Sequence, residues 1–131
     1  MSVTMRCYKE YGKIEEDIDK LRLIIELIDG KPTAANSKLA FLQTKINELI
    51  QSNSKLFLSL VTDPLLDTKV LIRKCTEAGI IAKRGNWLYL RDSMQPLCNN
   101  GEEPTLNIAA KYLNDPVRQE LKFSLEAKLK R

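Results

Sequence analysis

The chain has 131 residues, 44% of them hydrophobic and 29% charged, with 21 basic and 17 acidic side chains for a net charge of +4; that is enough for one modest core and too short for two ordinary domains. Five glycines, five prolines and eight aromatics are too few for a Gly/Pro-rich disordered chain or a many-turned β-sandwich, so the backbone should be mostly helix. There is no histidine, which removes Ser-His and Cys-His catalysis together with the commonest zinc ligand and argues against an enzyme.

From Tyr11 the apolar positions Tyr11, Ile14, Ile18, Leu21, Ile25 and Ile28 alternate in steps of three and four, predicting a helix with a coiled-coil seam. Glu15, Glu16 and Asp17 suit its positive end, and Gly30 followed by Lys31 and Pro32 stops it. A second seam runs Leu39, Leu42, Ile46, Leu49, Asn53, Leu56, Leu60, with Asn36 or Ser37 as its expected N-cap. The short linker carries Gly and Pro breakers, so residues 1–62 should fold back as an antiparallel helical hairpin serving oligomerisation or docking. At ~1.5 Å per residue the second helix would be ~37 Å long against ~27 Å for the first seam, leaving an overhang. Asn53, Leu56, Phe57 and Leu60 in that overhang are candidate protein-interface residues. Asn53 either pairs with a counterpart to fix register or belongs to a polar break, Gln51-Ser52-Asn53-Ser54, between two helices.

Residues 63–131 read as a second region of the same compact unit. Asp63 before Pro64 is a helix start, with Asp67 a turn later, and the helix should reach Ala78 and stop at Gly79. Residues 80–84 and 87–91 then read as two strands joined by Gly85-Asn86, which sets Arg84 opposite Trp87, Ala82 opposite Tyr89 and Ile80 opposite Arg91. Ile81, Leu88 and Leu90 share the other face, so one face is core and the other aromatic and basic. Residues 93–104 read as a loop, Thr105 caps a short helix to Leu113, and Asp115-Pro116 starts a last helix with the stripe Val117, Leu121, Leu125, Leu129.

The positive charge is local. Residues 1–62 carry nine basic and eight acidic side chains, whereas residues 69–91 carry six basic ones against Glu77 alone. Lys69, Arg73 and Lys74 on the helix, Lys83, Arg84 and Trp87 at the hairpin tip, and Arg91 on the return strand are the candidate nucleic-acid contacts, the cations for phosphates and Arg84 with Trp87 for a groove or an exposed base. A helix, a Gly-terminated turn and an aromatic β-hairpin resemble the second half of a winged helix. The short helix that normally precedes the recognition helix would have to come from residues 56–61, after a break near Asn53. The competing reading packs Trp87 and Tyr89 internally and leaves the cations to solvent or to an acidic protein.

No phosphate cradle, HExxH or acidic cluster with metal spacing occurs, so neither catalysis nor a cofactor is expected. Glu102-Glu103 and Glu15-Glu16-Asp17 read as solvated or helix-start acids. The widely separated Cys7, Cys75 and Cys98 suggest reduced thiols in a cytoplasmic protein, with Cys75 as core filling. No apolar run reaches the ~18 residues that a membrane span needs. Phrases such as Ile80-Ile81-Ala82-Lys83-Arg84-Gly85-Asn86 and Thr105-Leu106-Asn107-Ile108-Ala109-Ala110-Lys111-Tyr112-Leu113 resemble small accessory proteins of tailed bacteriophages. That resemblance implies a place in phage DNA replication, transcription, packaging or particle assembly, in host cytoplasm or virion. The fold class expected is mainly α: helical hairpin, winged-helix-like helix and β-hairpin, two C-terminal helices. Its partners are expected to be nucleic acid and a protein partner or second copy, or, alternatively, protein alone as a structural or adaptor subunit.

Overall fold

The computed structural model describes all 131 residues. It is mainly helical, with seven α-helices, one 3-10 turn and a two-stranded antiparallel sheet. The residues gather into two compact units, Met1–Leu66 and Asp67–Arg131, rather than the one that length suggests, because each half closes its own small core. No helix is long and apolar enough to cross a membrane.

The first unit contains α1 (Val3–Gly12), α2 (Ile18–Asp29), α3 (Leu39–Ser52) and α4 (Ser54–Val61). Ser2 caps α1, its side chain accepting from the Met5 N–H at 3.2 Å. This helix buries only Cys7, which is why the apolar periodicity does not reveal it. The seam drawn through Tyr11, Ile14 and Ile18 is not one helix. Residues 13–16 form a turn, and Asp17 caps α2 by accepting from the Lys20 N–H at 3.1 Å. Ile18 therefore sits at the first helical position and is exposed, while α2 buries Leu21, Leu23, Ile24 and Ile25. The other end follows the sequence: Gly30 has φ +74° and its N–H donates to the Glu26 carbonyl at 2.8 Å, the left-handed stop that glycine adopts without strain.

Thr33 holds the connection to α3. Its N–H and hydroxyl donate to Glu26 Oε2 at 2.9 and 2.7 Å, and its hydroxyl accepts from Nε of the buried Arg22 at 2.8 Å. Neither Asn36 nor Ser37 caps α3. Lys38 holds that position without a side-chain bond, because the Ser37 hydroxyl donates to the Ala34 carbonyl at 2.6 Å instead. The long second helix breaks at Asn53, whose φ of −151° and ψ of 58° are not helical. Its N–H still donates to the Leu49 carbonyl at 2.7 Å and its carbonyl still accepts from the Phe57 N–H at 3.1 Å, so both helix ends are served at the polar break. The break also resets the phase. Leu42, Ile46 and Ile50 are fully buried before it, but after it Phe57 turns inward in place of Leu56 and Leu60. No overhang remains, since α4 packs on α1, α2 and α3, with the Cys7 thiol donating to the Ser54 carbonyl at 3.2 Å.

The second unit takes in α5 (Leu66–Glu77) from its second residue, then β1 (Ile81–Arg84), β2 (Trp87–Leu90), α6 (Leu106–Asn114), a 3-10 turn (Pro116–Arg118) and α7 (Gln119–Leu129). Residues 95–97, expected as loop, run along β2: Tyr89 bridges to Pro96, the Leu90 N–H donates to the Gln95 carbonyl at 2.9 Å, and the Leu97 N–H donates to the Leu88 carbonyl at 3.1 Å. The Thr105 side chain caps α6 by accepting from the Ile108 N–H at 3.4 Å, and α6 packs on β2. Val117 does not join the last helix's stripe. It lies in the 3-10 turn that the Asp115 carboxylate opens and is 73% exposed, leaving Leu125 as the buried residue of α7. Asn114 Oδ1 accepts from the buried Thr68 hydroxyl at 2.6 Å and from Lys122 Nζ at 2.9 Å, joining α5, α6 and α7.

Candidate nucleic-acid interface

The second unit carries the one β-hairpin of the chain, β1 and β2. Its register pairs Ile81 with Leu90, Ala82 with Tyr89, Lys83 with Leu88 and Arg84 with Trp87, and the Arg91 N–H continues the ladder to the Ile80 carbonyl at 3.1 Å. Gly85 has φ +60° and Asn86 has no positive φ, the pattern of a type II′ turn, which suits the twist of the flanking strands. Because side chains alternate across a strand, Arg84, Trp87, Tyr89 and Arg91 fall on one face, while Ile81 and Leu88 are buried on the other.

Lys83, Arg84 and Arg91 are exposed and take part in none of the ion pairs of this unit. Trp87, the one tryptophan of the chain, is 42% exposed, and Tyr89 is half-buried beside it. Tyr89 adds a second aromatic to the candidate contacts, and the two-residue alternation that puts it on the same face as Trp87 is its signal in the sequence.

The helix part of the expected basic surface needs correction. Lys69 is 8% exposed, on the same side of α5 as the buried Thr68 and Ile72. Arg73 is largely covered too, its guanidinium donating to Glu77 at 3.1 Å one turn away. Charge counting along the sequence cannot see this, since it assigns every lysine and arginine to solvent. The charged residues that α5 does expose are Asp67, Lys74 and Glu77, a set with no positive excess. Lys74 lies at an open groove of about 440 Å³ between α5 and α7, floored by Val70, Leu71 and Leu129 and flanked by Lys122, Lys130 and Glu126.

The four expected protein-interface residues do not form one patch. Phe57 is fully buried in the first unit and is removed from the set, Asn53 is exposed at the helix break, Leu56 is 37% exposed and Leu60 half-buried. More fully exposed apolar side chains lie elsewhere, at Phe41 in the first unit and at Val117 and Phe123 in the second.

All three cysteines are free thiols. Burial pushes the Cys75 thiol up to about 11, more than Lys74 and Lys128 lower it, and burial also raises those of Cys7 and Cys98. A raised pKa depletes the nucleophilic thiolate at neutral pH. No group of three or more Cys, Asp or Glu side chains is gathered for a metal ion. No family model, curated protein or solved structure matches the chain.

Proposed function

We propose that this chain is a small, non-enzymatic accessory protein that binds nucleic acid through the β-hairpin of its second unit. Lys83, Arg84 and Arg91 supply phosphate contacts and Trp87 an aromatic one, with Lys74 at the margin. The observation that carries this reading is the hairpin face that presents Arg84, Trp87 and Arg91, with Lys83 exposed from the opposite face of the tip and no carboxylate between Glu77 and Asp92 in the chain to oppose them. The order α5, β1, β2 is the helix-then-hairpin order of the second half of a winged helix, with the hairpin as wing, which adds support to this assignment. The first unit is net neutral and serves association with protein through its paired helices. Such a division suits an accessory protein of the tailed-phage kind, working in the cytoplasm of the host.

The test is binding of a labelled single-stranded oligonucleotide and the duplex of the same sequence, for the native chain and for Lys83→Glu/Arg84→Glu. Three phosphate contacts give a slope of log K against log salt of about −2 to −3. The double variant should bind at least about tenfold more weakly and with a shallower slope. No binding to either ligand at low salt, or equal binding by the variant, would overturn the proposal. A second reading, a structural or adaptor subunit without nucleic-acid contact, draws on the exposed Val117 and Phe123 in the chain's last elements. It predicts salt-insensitive copurification with a protein that Phe123→Ser abolishes and Arg84→Glu does not.

A further inference from the structure

Taking the hairpin as the nucleic-acid site, we propose that its ligand is a single strand, held by stacking of unpaired bases on Trp87 and Tyr89, rather than a duplex read in its groove.

Three observations favour this. First, α5 exposes little positive charge to a duplex backbone: Lys69 is buried, Arg73 is largely covered and pairs with Glu77, and the charged residues exposed on the helix beside Lys74 are the acidic Asp67 and Glu77. Second, the hairpin is too short to read a groove. Leu88 is 3% exposed, so the body of the unit reaches the second cross-strand pair, and beyond that pair the tip consists of Arg84, Trp87 and the two turn residues. At ~3.3 Å per residue that is a projection of about 7 Å at most, against a major groove ~8.5 Å deep. Third, the chemistry of the exposed face is that of stacking. An indole offers one N–H donor and no acceptor, so it cannot make the bidentate contacts that read base edges, whereas its face stacks on any base. A base face is open only where the base is unpaired.

The strip is ordered for a strand running along it. The Arg84–Trp87 pair stands at the tip, Tyr89 lies two residues further along β2 on the same face, and Arg91 follows after two more. Two rings about 7 Å apart along a strand are thus bracketed by two guanidinium groups that can take phosphates or stack themselves. Readout of this kind tolerates many sequences, because every base has a π-face.

Trp87 is its own reporter, being the one tryptophan in the chain. Titration with a short single-stranded oligonucleotide should quench its fluorescence, with affinity at least about tenfold above that for the duplex of the same sequence. With labelled oligonucleotide as the probe, Trp87→Ala should lose about tenfold or more in affinity for the single strand, while Trp87→Phe keeps most of it. Circular dichroism of both variants verifies that this exposed position leaves the fold intact. Duplex bound as well as or better than the single strand, or Trp87→Ala binding the single strand like the native chain, would overturn the stacking proposal and leave the hairpin reading in place. Absence of binding to both ligands at low salt would overturn the two together.

Discussion

Arg84 and Trp87 face one another as the last cross-strand pair of the hairpin, with only Gly85 and Asn86 between them in the chain. Their juxtaposition depends on the positive φ of Gly85, which a residue with a Cβ adopts at a cost of about 1–2 kcal/mol. No neighbouring atom would meet an added Cβ, so the cost is one of backbone conformation alone. Gly85→Val should lower stability by about that amount and loosen the pair, reducing nucleic-acid affinity although no contact residue has changed. A urea titration together with the oligonucleotide assay verifies both effects; a variant as stable as the native chain would show that the turn does not hold the tip.

Lys69 and Lys83 are indistinguishable to a count of charges but opposite in burial, and substitution should separate them. Lys69→Glu places a carboxylate at a position that is 8% exposed, and should cost about 3 kcal/mol or more. Lys83→Glu changes an exposed residue and should stay within about 0.5 kcal/mol of the native stability while weakening nucleic-acid binding. Thermal melts compared with binding curves distinguish the two. If Lys69→Glu folded normally and bound weakly, α5 would return to the interface.

This contrast also shows what the sequence could convey. Turn chemistry was legible because it is local: Gly30, Gly85 and Thr105 each act through their own backbone or a neighbour within a few residues. Helix continuity was legible only in part: three-four spacing runs unchanged through residues 13–16, where Asp17 restarts the helix, whereas the polar run Gln51-Ser52-Asn53-Ser54 did offer the break found at Asn53. The candidate site divided along the same line. Exposure of the hairpin tip follows from the turn that forms it, whereas burial of Lys69 and Arg73 depends on which side of α5 is packed, a tertiary fact.

Phe57 and Leu56 offer a parallel test in the first unit. Phe57 is fully buried and Leu56 is 37% exposed, so Phe57→Ala should cost about 3–5 kcal/mol and Leu56→Ser under about 1 kcal/mol. If the first unit associates with a second copy through the exposed side of α4, Leu56→Ser should shift sedimentation toward the monomer with the melting temperature nearly unchanged. Sedimentation of the native chain as a monomer would leave α4 with a purely internal role.

Cys75 should set an alkaline limit to stability. It is fully buried, and burial raises its thiol from 9.0 to about 11. The folded state therefore favours the protonated thiol, while an unfolded chain releases that proton near 9.0. Below pH 9 both states hold the proton and the contribution of the thiol is fully present; as pH rises from 9 toward 11 only the unfolded state ionises, so stability falls through that window. A two-unit shift corresponds to roughly 2–3 kcal/mol. Lysines and tyrosines titrate in the same range, so the useful quantity is the difference between the native chain and Cys75→Ala. That difference should be constant up to about pH 8.5 and then shrink, because the variant has lost the thiol packing at every pH but gains relative to the native chain once the unfolded native thiol ionises. Urea midpoints measured at intervals across the window provide it, and a difference that stays flat to pH 11 would place the Cys75 thiol in contact with water.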